Sequence, residues 1–233
     1  LLDVRDSNDV LEKTRGIDII FHCAALKHVA FCERSPEQAI ATNVVGIQNL
    51  ISAVRINSIE KMIFASSDKA VNPTNVMGTS KLMGERLMTA ANSNSRSNDS
   101  IFVSTRFGNV LGSNGSVVPI FNKQIIDGGP ITITHKEMTR FIMSIQEAVS
   151  LLIESSLIAK GGEIFVTKMP VLKIVDLAEA MCNLLIKNDK KNKIGISFIG
   201  TKPGEKLYEE LMSEEERRRS IEVEKYFIIL PAF

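Results

Sequence analysis

Residues 64–87 read FASSDKAVNPTNVMGTSKLMGERL, from Phe64 to Leu87, and the fold turns on how this stretch is read. The apolar run Met62-Ile63-Phe64-Ala65 has the character of a buried strand. It breaks into Ser66-Ser67-Asp68-Lys69, two hydroxyls, a carboxylate and an ammonium side by side. Open α/β sheets bind ligands at such strand ends, because the loops there leave a crevice that the flanking helices do not fill. Asn72-Pro73 then forces a turn. From Val76 to about Ala91 the pattern is helical. Met77, Lys81 and Glu85 lie four apart on one face, so Lys81 points where residue 77 points.

Upstream, Asp18 to Ala25 (DIIFHCAA) is a short continuous apolar run of the kind that a parallel sheet buries on both faces. Its small closing residues Ala24 and Ala25 admit close approach of a ligand, and Lys27 and His28 follow. His22, inside the run, is expected to be a satisfied core residue. Ser35-Pro36-Glu37-Gln38 has the form of a helix start, with Ser as cap and Gln returning the bond. Ile40, Val44, Ile47, Ile51 and Val54 supply the buried stripe, with Asn43 beside it.

Downstream, the polar run Asn92 to Ser100 reads as a mobile surface loop without chemistry. Ile101 to Thr105 is a strand that ends in Arg106-Phe107-Gly108-Asn109. Gly108, Gly112 and Gly115 imitate a dinucleotide fingerprint before the helical segment Val117 to Ile126. That reading fails, because the pattern lies late in the chain and no acidic residue follows a second strand about 20 residues on. Arg140 offers paired donors to anionic oxygens. Ser144-x-x-Glu147 is a capping box for a helix expected to bury Ile145, Val149, Leu152, Ile153 and Leu157. A strand (Ile164 to Thr167) and a helix (Ile174 to Ile186) follow, and Glu214 to Arg219 reads as a solvated helix face.

The 233 residues, 44% hydrophobic and 24% charged, suffice for one large domain or two small ones. With 28 basic against 27 acidic residues, the net +1 argues against a general electrostatic partner such as nucleic acid or a membrane surface, so any phosphate binding must be local. Cys23, Cys32 and Cys182 form no C-x-x-C pair, which fits reduced thiols in the cytoplasm, and no metal ligand set is expected. The continuous apolar runs fall short of the ~20 residues of a membrane span, and no signal peptide is recognisable. The chain does not begin with Met, so its natural start is expected elsewhere.

Together, the hydroxyls before Asp68-Lys69 and the tetrad Met77-Gly78-Thr79-Ser80-Lys81 resemble the extended short-chain dehydrogenase/reductase family, in particular its CapD-type nucleotide-sugar 4,6-dehydratases of polysaccharide biosynthesis. The wider family carries Tyr where this chain has Met77, although some of the dehydratase branch also carry Met. The resemblance implies an α/β, Rossmann-like doubly wound parallel sheet with a smaller carboxyl-terminal substrate lobe. Residues 1–110 would form a partial NAD(P)-binding domain and residues 111–233 a substrate-binding lobe with interleaved elements. The glycine-rich turn of the family's first βαβ unit has no counterpart, so the chain is expected to be amino-terminally incomplete. The strand at Asp18 to Ala25 would then present an unpaired edge.

The resemblance also implies roles. Ser67 would hydrogen-bond the C4 oxygen of a sugar, Asp68 would protonate the departing C6 hydroxyl, and Lys69 would take the C5 proton. Lys81 would hold the nicotinamide ribose of NAD or NADP, Met77 stands at the phenol position, and Asn43 supports the site. Asp3 and Val4 would touch the adenine, Ala24 and Ala25 the cofactor, and Lys27 and His28 the sugar nucleotide. Arg106 and Asn109 belong to a substrate loop that holds the diphosphate. Lys202 and Glu205 fall in the closing motif, Lys202 where Arg is usual. The substrate would be UDP-N-acetylglucosamine or a close relative, and the protein a cytoplasmic homo-oligomer without nucleic acid. Membrane association would come only through a region before residue 1, placing the enzyme at the membrane's inner face. An epimerase of the same family, and a non-catalytic fragment, remain open alternatives.

Overall fold

A computed structural model describes residues 1–94, 100–185 and 194–232. In chain order the elements are α1 (Ser7–Lys13), β1 (Ile19–His22), α2 (Val29–Arg34), α3 (Pro36–Ile40), a π-helical turn (Ala41–Val45), α4 (Gly46–Ile56), β2 (Lys61–Ser67), a 3-10 turn (Asp68–Ala70), α5 (Val76–Ser93) and β3 (Ile101–Phe107). There follow β4 (Asn109–Val110), α6 (Val117–Ile126), β5 (Ile131–Ile133), β6 (Thr139–Met143), α7 (Ile145–Ile158), β7 (Ile164–Thr167), β8 (Val171–Lys173), α8 (Ile174–Leu185), β9 (Ile196–Phe198), α9 (Glu214–Arg217), β10 (Ser220–Glu222) and β11 (Tyr226–Ile229). Part of the run expected as a mobile loop (residues 95–99), and the expected helix end Ile186, lie outside the described residues.

Two compact units emerge, one of Leu1–Phe107, Val149–Lys168 and Glu210–Phe233, the other of Gly108–Ala148 and Met169–Glu209. Residues 149–168 and 210–233, expected in the carboxyl-terminal lobe, group instead with the first unit, because β7, β11 and β10 complete its sheet. That sheet has the order β1-β2-β3-β7-β11-β10, parallel through β7 and antiparallel beyond it. Alternation along β2 sends Met62 and Phe64 to one face, where they pack with Ile47, Leu50, Val54 and Met88. Ile63 goes to the other face, with Val103, Leu151 and Phe165.

Several local expectations need correction. β1 stops at His22, and four residues on the backbone N–H and C=O of Leu26 are both bonded to the side chain of Asn43 rather than to a neighbouring strand. Among the described residues β1 is an edge strand. Ser35 precedes Pro36 as expected, but its hydroxyl makes no capping bond. The helical run Pro36–Ile56 reaches membrane-span length and hydropathy, although no continuous apolar run does; its apolar residues Ile47, Leu50, Ile51 and Val54 belong to the core. On α7 the capping box of Ser144 and Glu147 forms, but Ile145, Val149, Ile153 and Leu157 are exposed, while Leu151 enters the core. A helix apolar on most of its circumference does not reveal by periodicity which side meets the sheet.

In the second unit β4, β6 and β8 form one small sheet, and β5 pairs with β9 in parallel. Phe121 and Ile125 of α6 and Ile174 and Ala178 of α8 close a core over Ile131, Ile133 and Met138.

Candidate active site

Where β2 ends, the chain tightens into the 3-10 turn and gathers the predicted chemistry in the first unit. Asp68 is 0% exposed. Its Oδ1 accepts from Ser67 Oγ at 2.8 Å and from Lys69 Nζ at 2.9 Å. Its Oδ2 is buried without a hydrogen-bond partner among the described residues. The Lys69 side chain keeps 22% of its surface, so the ammonium is the accessible member of the pair. Asn72, in a left-handed conformation with φ 43° that Asn tolerates, turns the chain toward α5.

Asn75 caps α5, its side chain accepting from Gly78 N at 2.8 Å. One turn on, Lys81 is buried, donates from Nζ to Ala65 O at 2.8 Å, and lies 4.8 Å from the centre of the Phe64 ring. Burial lowers its amine to about 8, against the opposing pull of Cys23, Glu85 and Cys32. His22 stacks on the same ring at 5.7 Å and is held neutral, its pKa lowered to about 3 by burial and by Lys81. His22 is in the core as expected but is not satisfied, since Nε2 has no partner among the described residues. Asn43, from the π-helical turn, joins Leu26 to Ser80 Oγ at 2.9 Å and so fixes the residue beside Lys81. A π-turn lets one residue project out of helical register, and such turns recur at functional sites.

Gly78 is what lets α5 lie against the 3-10 turn, for a Cβ there would overlap the backbone oxygen of Lys69. Gly78→Ala is therefore expected to cost about 1–3 kcal/mol in urea denaturation, as over-packing does. It should also weaken activity by moving Lys69.

Two nominated residues are corrected. Arg106, expected on the substrate, is 0% exposed. Its guanidinium binds Glu85 in bidentate fashion at 2.8 and 2.7 Å, Glu216 at 2.9 and 2.7 Å, and the oxygen of Leu211 at 3.1 Å. No donor is left for a diphosphate, and the pKa of Arg106 is raised further by the carboxylates despite its burial. Met77 is buried in an apolar cluster with Cys32 and Ala39, a packing residue that moves no proton. Glu216, assigned to a solvated face, is 2% exposed. The sequence signal for it was the capping box Ser213-x-x-Glu216, which forms here.

Of the residues nominated for NAD or NADP, Ala24 is exposed and Ala25 half-buried at the carboxyl end of β1, where small side chains leave room for a planar ring system. Ala65 takes one of the three ammonium protons of Lys81, which leaves donors for ribose hydroxyls. These residues fit the group. Val4 is buried against Gly46, and Asp3 is engaged by Arg5, whose guanidinium fork lowers the Asp3 pKa to about 2. Lys27 and His28 are exposed, His28 at the amino terminus of α2.

The second unit holds a cavity of ≈ 230 Å³, and four of the nominated residues line it: Asn109, Arg140, Lys202 and Glu205. Arg140 donates to the oxygens of Thr139 and Leu207 at 2.7 and 3.2 Å and lies 3.7 Å from Glu205. Lys202-Pro203-Gly204-Glu205 closes a tight turn, with Glu205 N bonded to Lys202 O at 3.0 Å and Gly204 at φ 76°. Thr132 and Thr134 add hydroxyls, and Phe121 and Ile133 an apolar floor. A cation, hydroxyls and an apolar wall suit a nucleotide.

A family model described as polysaccharide biosynthesis protein matches residues 1–231. An uncharacterized membrane protein of Methanocaldococcus jannaschii is 49% identical over 231 residues, which are 98% of this chain and 69% of that protein. The capsular polysaccharide biosynthesis protein CapD of Staphylococcus aureus is 45% identical over 218 residues, 89% of this chain and 36% of its own length. A UDP-glucose 4-epimerase of Rickettsia canadensis is 43% identical over 227 residues, 97% of this chain and 65% of its own. Among solved structures, Pen from Bacillus thuringiensis is similar with a TM-score of 0.93 at 45% identity, covering 99% of this chain and 72% of that one. The dTDP-glucose 4,6-dehydratase DesIV of Streptomyces venezuelae, solved with NAD bound, has a TM-score of 0.80 at 19% identity over 93% of this chain and 71% of its own, a likeness of fold. The fold is thus α/β and Rossmann-like.

Proposed function

The chain belongs to the polysaccharide biosynthesis protein family of extended short-chain dehydrogenases/reductases, and from that premise we propose that it is a nucleotide-sugar 4,6-dehydratase acting on UDP-N-acetylglucosamine or a close relative. The observation that carries this reading is the Asp68–Lys69 pair at the end of β2. A buried carboxylate with one oxygen unsatisfied is costly to a fold, and an acid with a reaction to perform explains it.

The sheet-bearing unit takes the cofactor and the second unit the nucleotide. When bound, NAD or NADP would supply the hydride chemistry, and Ala24, Ala25 and Lys81, with Asp3 and Val4 at the adenine, would hold it. Ser67 hydrogen-bonds the C4 oxygen. The Lys69 ammonium first passes a proton to Asp68 across their 2.9 Å bond; the freed amine then takes the C5 proton that a C4 ketone acidifies, the Asp68 acid gives its proton to the departing C6 hydroxyl, and Lys69 returns a proton to C5 as hydride adds at C6. An acid and a base adjacent in sequence serve opposite ends of one elimination. Lys27 and His28 face the sugar, and Asn109, Arg140, Lys202 and Glu205 hold the uridine diphosphate. The protein works in this reading as a cytoplasmic homo-oligomer.

An epimerase is the second reading, supported by relatives named UDP-glucose 4-epimerase at 42–43% identity. An epimerase needs no dedicated acid and base for loss of water. Incubating the full-length protein with NAD(P) and UDP-N-acetylglucosamine separates the two by NMR: a 4-keto-6-deoxy sugar supports the dehydratase, and a C4 epimer alone overturns it. Replacing Arg140 with Met should raise KM for the UDP-sugar about 10–100-fold with kcat little changed, the loss of one or two charge-assisted bonds.

A further inference from the structure

One cluster of charge takes no part in the reaction as proposed. Arg106, Glu85 and Glu216 have side chains 0%, 1% and 3% exposed, and together they bury one positive charge against two negative. An uncompensated buried charge is expensive, so surplus carboxylate calls for a further cation. Lys81, four residues before Glu85 on α5, is a buried cation with no carboxylate bonded to its amine among the described residues. Two consecutive residues of β2 hold these two side chains: Ala65 O accepts from Lys81 Nζ at 2.8 Å, and Ser66 Oγ donates to Glu85 Oε1 at 2.6 Å. Glu216 comes from the far end of the chain, oriented by Ser213 N, which donates to its Oε2 at 2.8 Å.

We infer that Glu216, acting through Arg106 and Glu85, is a positioning residue for the Lys81 amine. By sharing the guanidinium that also binds Glu85 in bidentate fashion, it leaves the cluster with one negative charge in surplus. That surplus makes Glu85 a counter-charge of Lys81 and keeps α5 registered on the end of β2. Of the other groups around Lys81, His22 at the end of β1 is neutral, and the Cys23 and Cys32 thiols pull in the same direction as Glu85 but are themselves pushed up by burial, which leaves Glu85 as the carboxylate among the named influences on this amine. Asp68 and Lys69 in the 3-10 turn cancel one another, and Glu33 of α2 is bonded to Val76 N at the start of α5.

The inference builds on the role proposed for Lys81, but its test does not need the reaction. Lysine side-chain amines of the full-length protein are titrated by NMR, in wild type and in Glu216→Gln. The Lys81 midpoint is expected to fall by at least about half a pH unit in the variant, the effect of deleting one buried charge from a linked network. The alkaline limb of the kcat–pH profile should move with it. Ser213→Ala, which breaks the cap and leaves the charges, should not shift the midpoint. An unchanged midpoint in Glu216→Gln overturns the inference, whatever the activity. If Glu216→Gln does not fold, Glu85→Gln carries the test: a Lys81 midpoint that stays put there overturns it equally, and a fall supports it. A missing 4-keto product with a shifted midpoint would sink the proposed reaction and leave this link standing.

Discussion

Asp68→Asn lowers the rate of 4-keto sugar formation by about 10²–10⁴-fold, the usual contribution of a positioned general acid. The substitution keeps the shape of the side chain and the oxygen that accepts from Ser67 and Lys69, at 2.8 and 2.9 Å. Stability should therefore stay within about 1 kcal/mol of wild type, since Lys69 retains contact with solvent and a part-exposed pair contributes little. Rate and melting temperature measured together separate chemistry from folding. A variant that melts normally and forms product at the wild-type rate would show that Asp68 is not the acid.

Arg106→Met has the largest expected effect on the fold. It strands two carboxylates, Glu85 and Glu216, that share one guanidinium in the interior. Removing one partner of a buried ion pair costs about 3–5 kcal/mol, and the urea midpoint should drop accordingly. The pH dependence should also change sign. Burial alone would raise the Glu216 carboxyl, but Arg106 overrides it and holds the pKa at about 2, below the ordinary 4.5. In the wild type this group stabilises the fold above pH 4.5, and the contribution is lost as pH falls toward 2. In Arg106→Met the carboxylates lack a cation, so acidification should stabilise the variant over the same interval. Adding Glu85→Gln and Glu216→Gln to Arg106→Met should recover most of the loss, because neutral groups of the same shape bury without the charge penalty.

The parts of the site that local patterning could reveal were legible in the sequence. β2 and α5 follow from an apolar run broken by a polar cluster and from a four-residue spacing, and the contacts of Asp68, Lys69 and Lys81 lie within a few turns of that stretch. Asn109, Arg140, Lys202 and Glu205, nominated separately, line one cavity. Long-range pairing was not legible. An arginine after a strand looks the same whether it awaits a phosphate or two carboxylates 21 residues before and 110 residues after it. Glu216 looked like any member of a charge run, since its burial depends on where β10 and β11 return to the sheet. The inward face of α7 was misjudged for a related reason: its apolar residues surround the axis, and only the position of Val103 and Phe165 decides that Leu151 is inside.

The central claim is that Lys69 removes the C5 proton while Asp68 expels the C6 hydroxyl. It is tested most directly by running the reaction of the full-length protein in D₂O and reading the product by NMR. A lysine amine exchanges its protons with solvent, so a 4-keto-6-deoxy sugar should form with deuterium at C5. A product epimerised at C4 that keeps hydrogen at C5 would contradict the account.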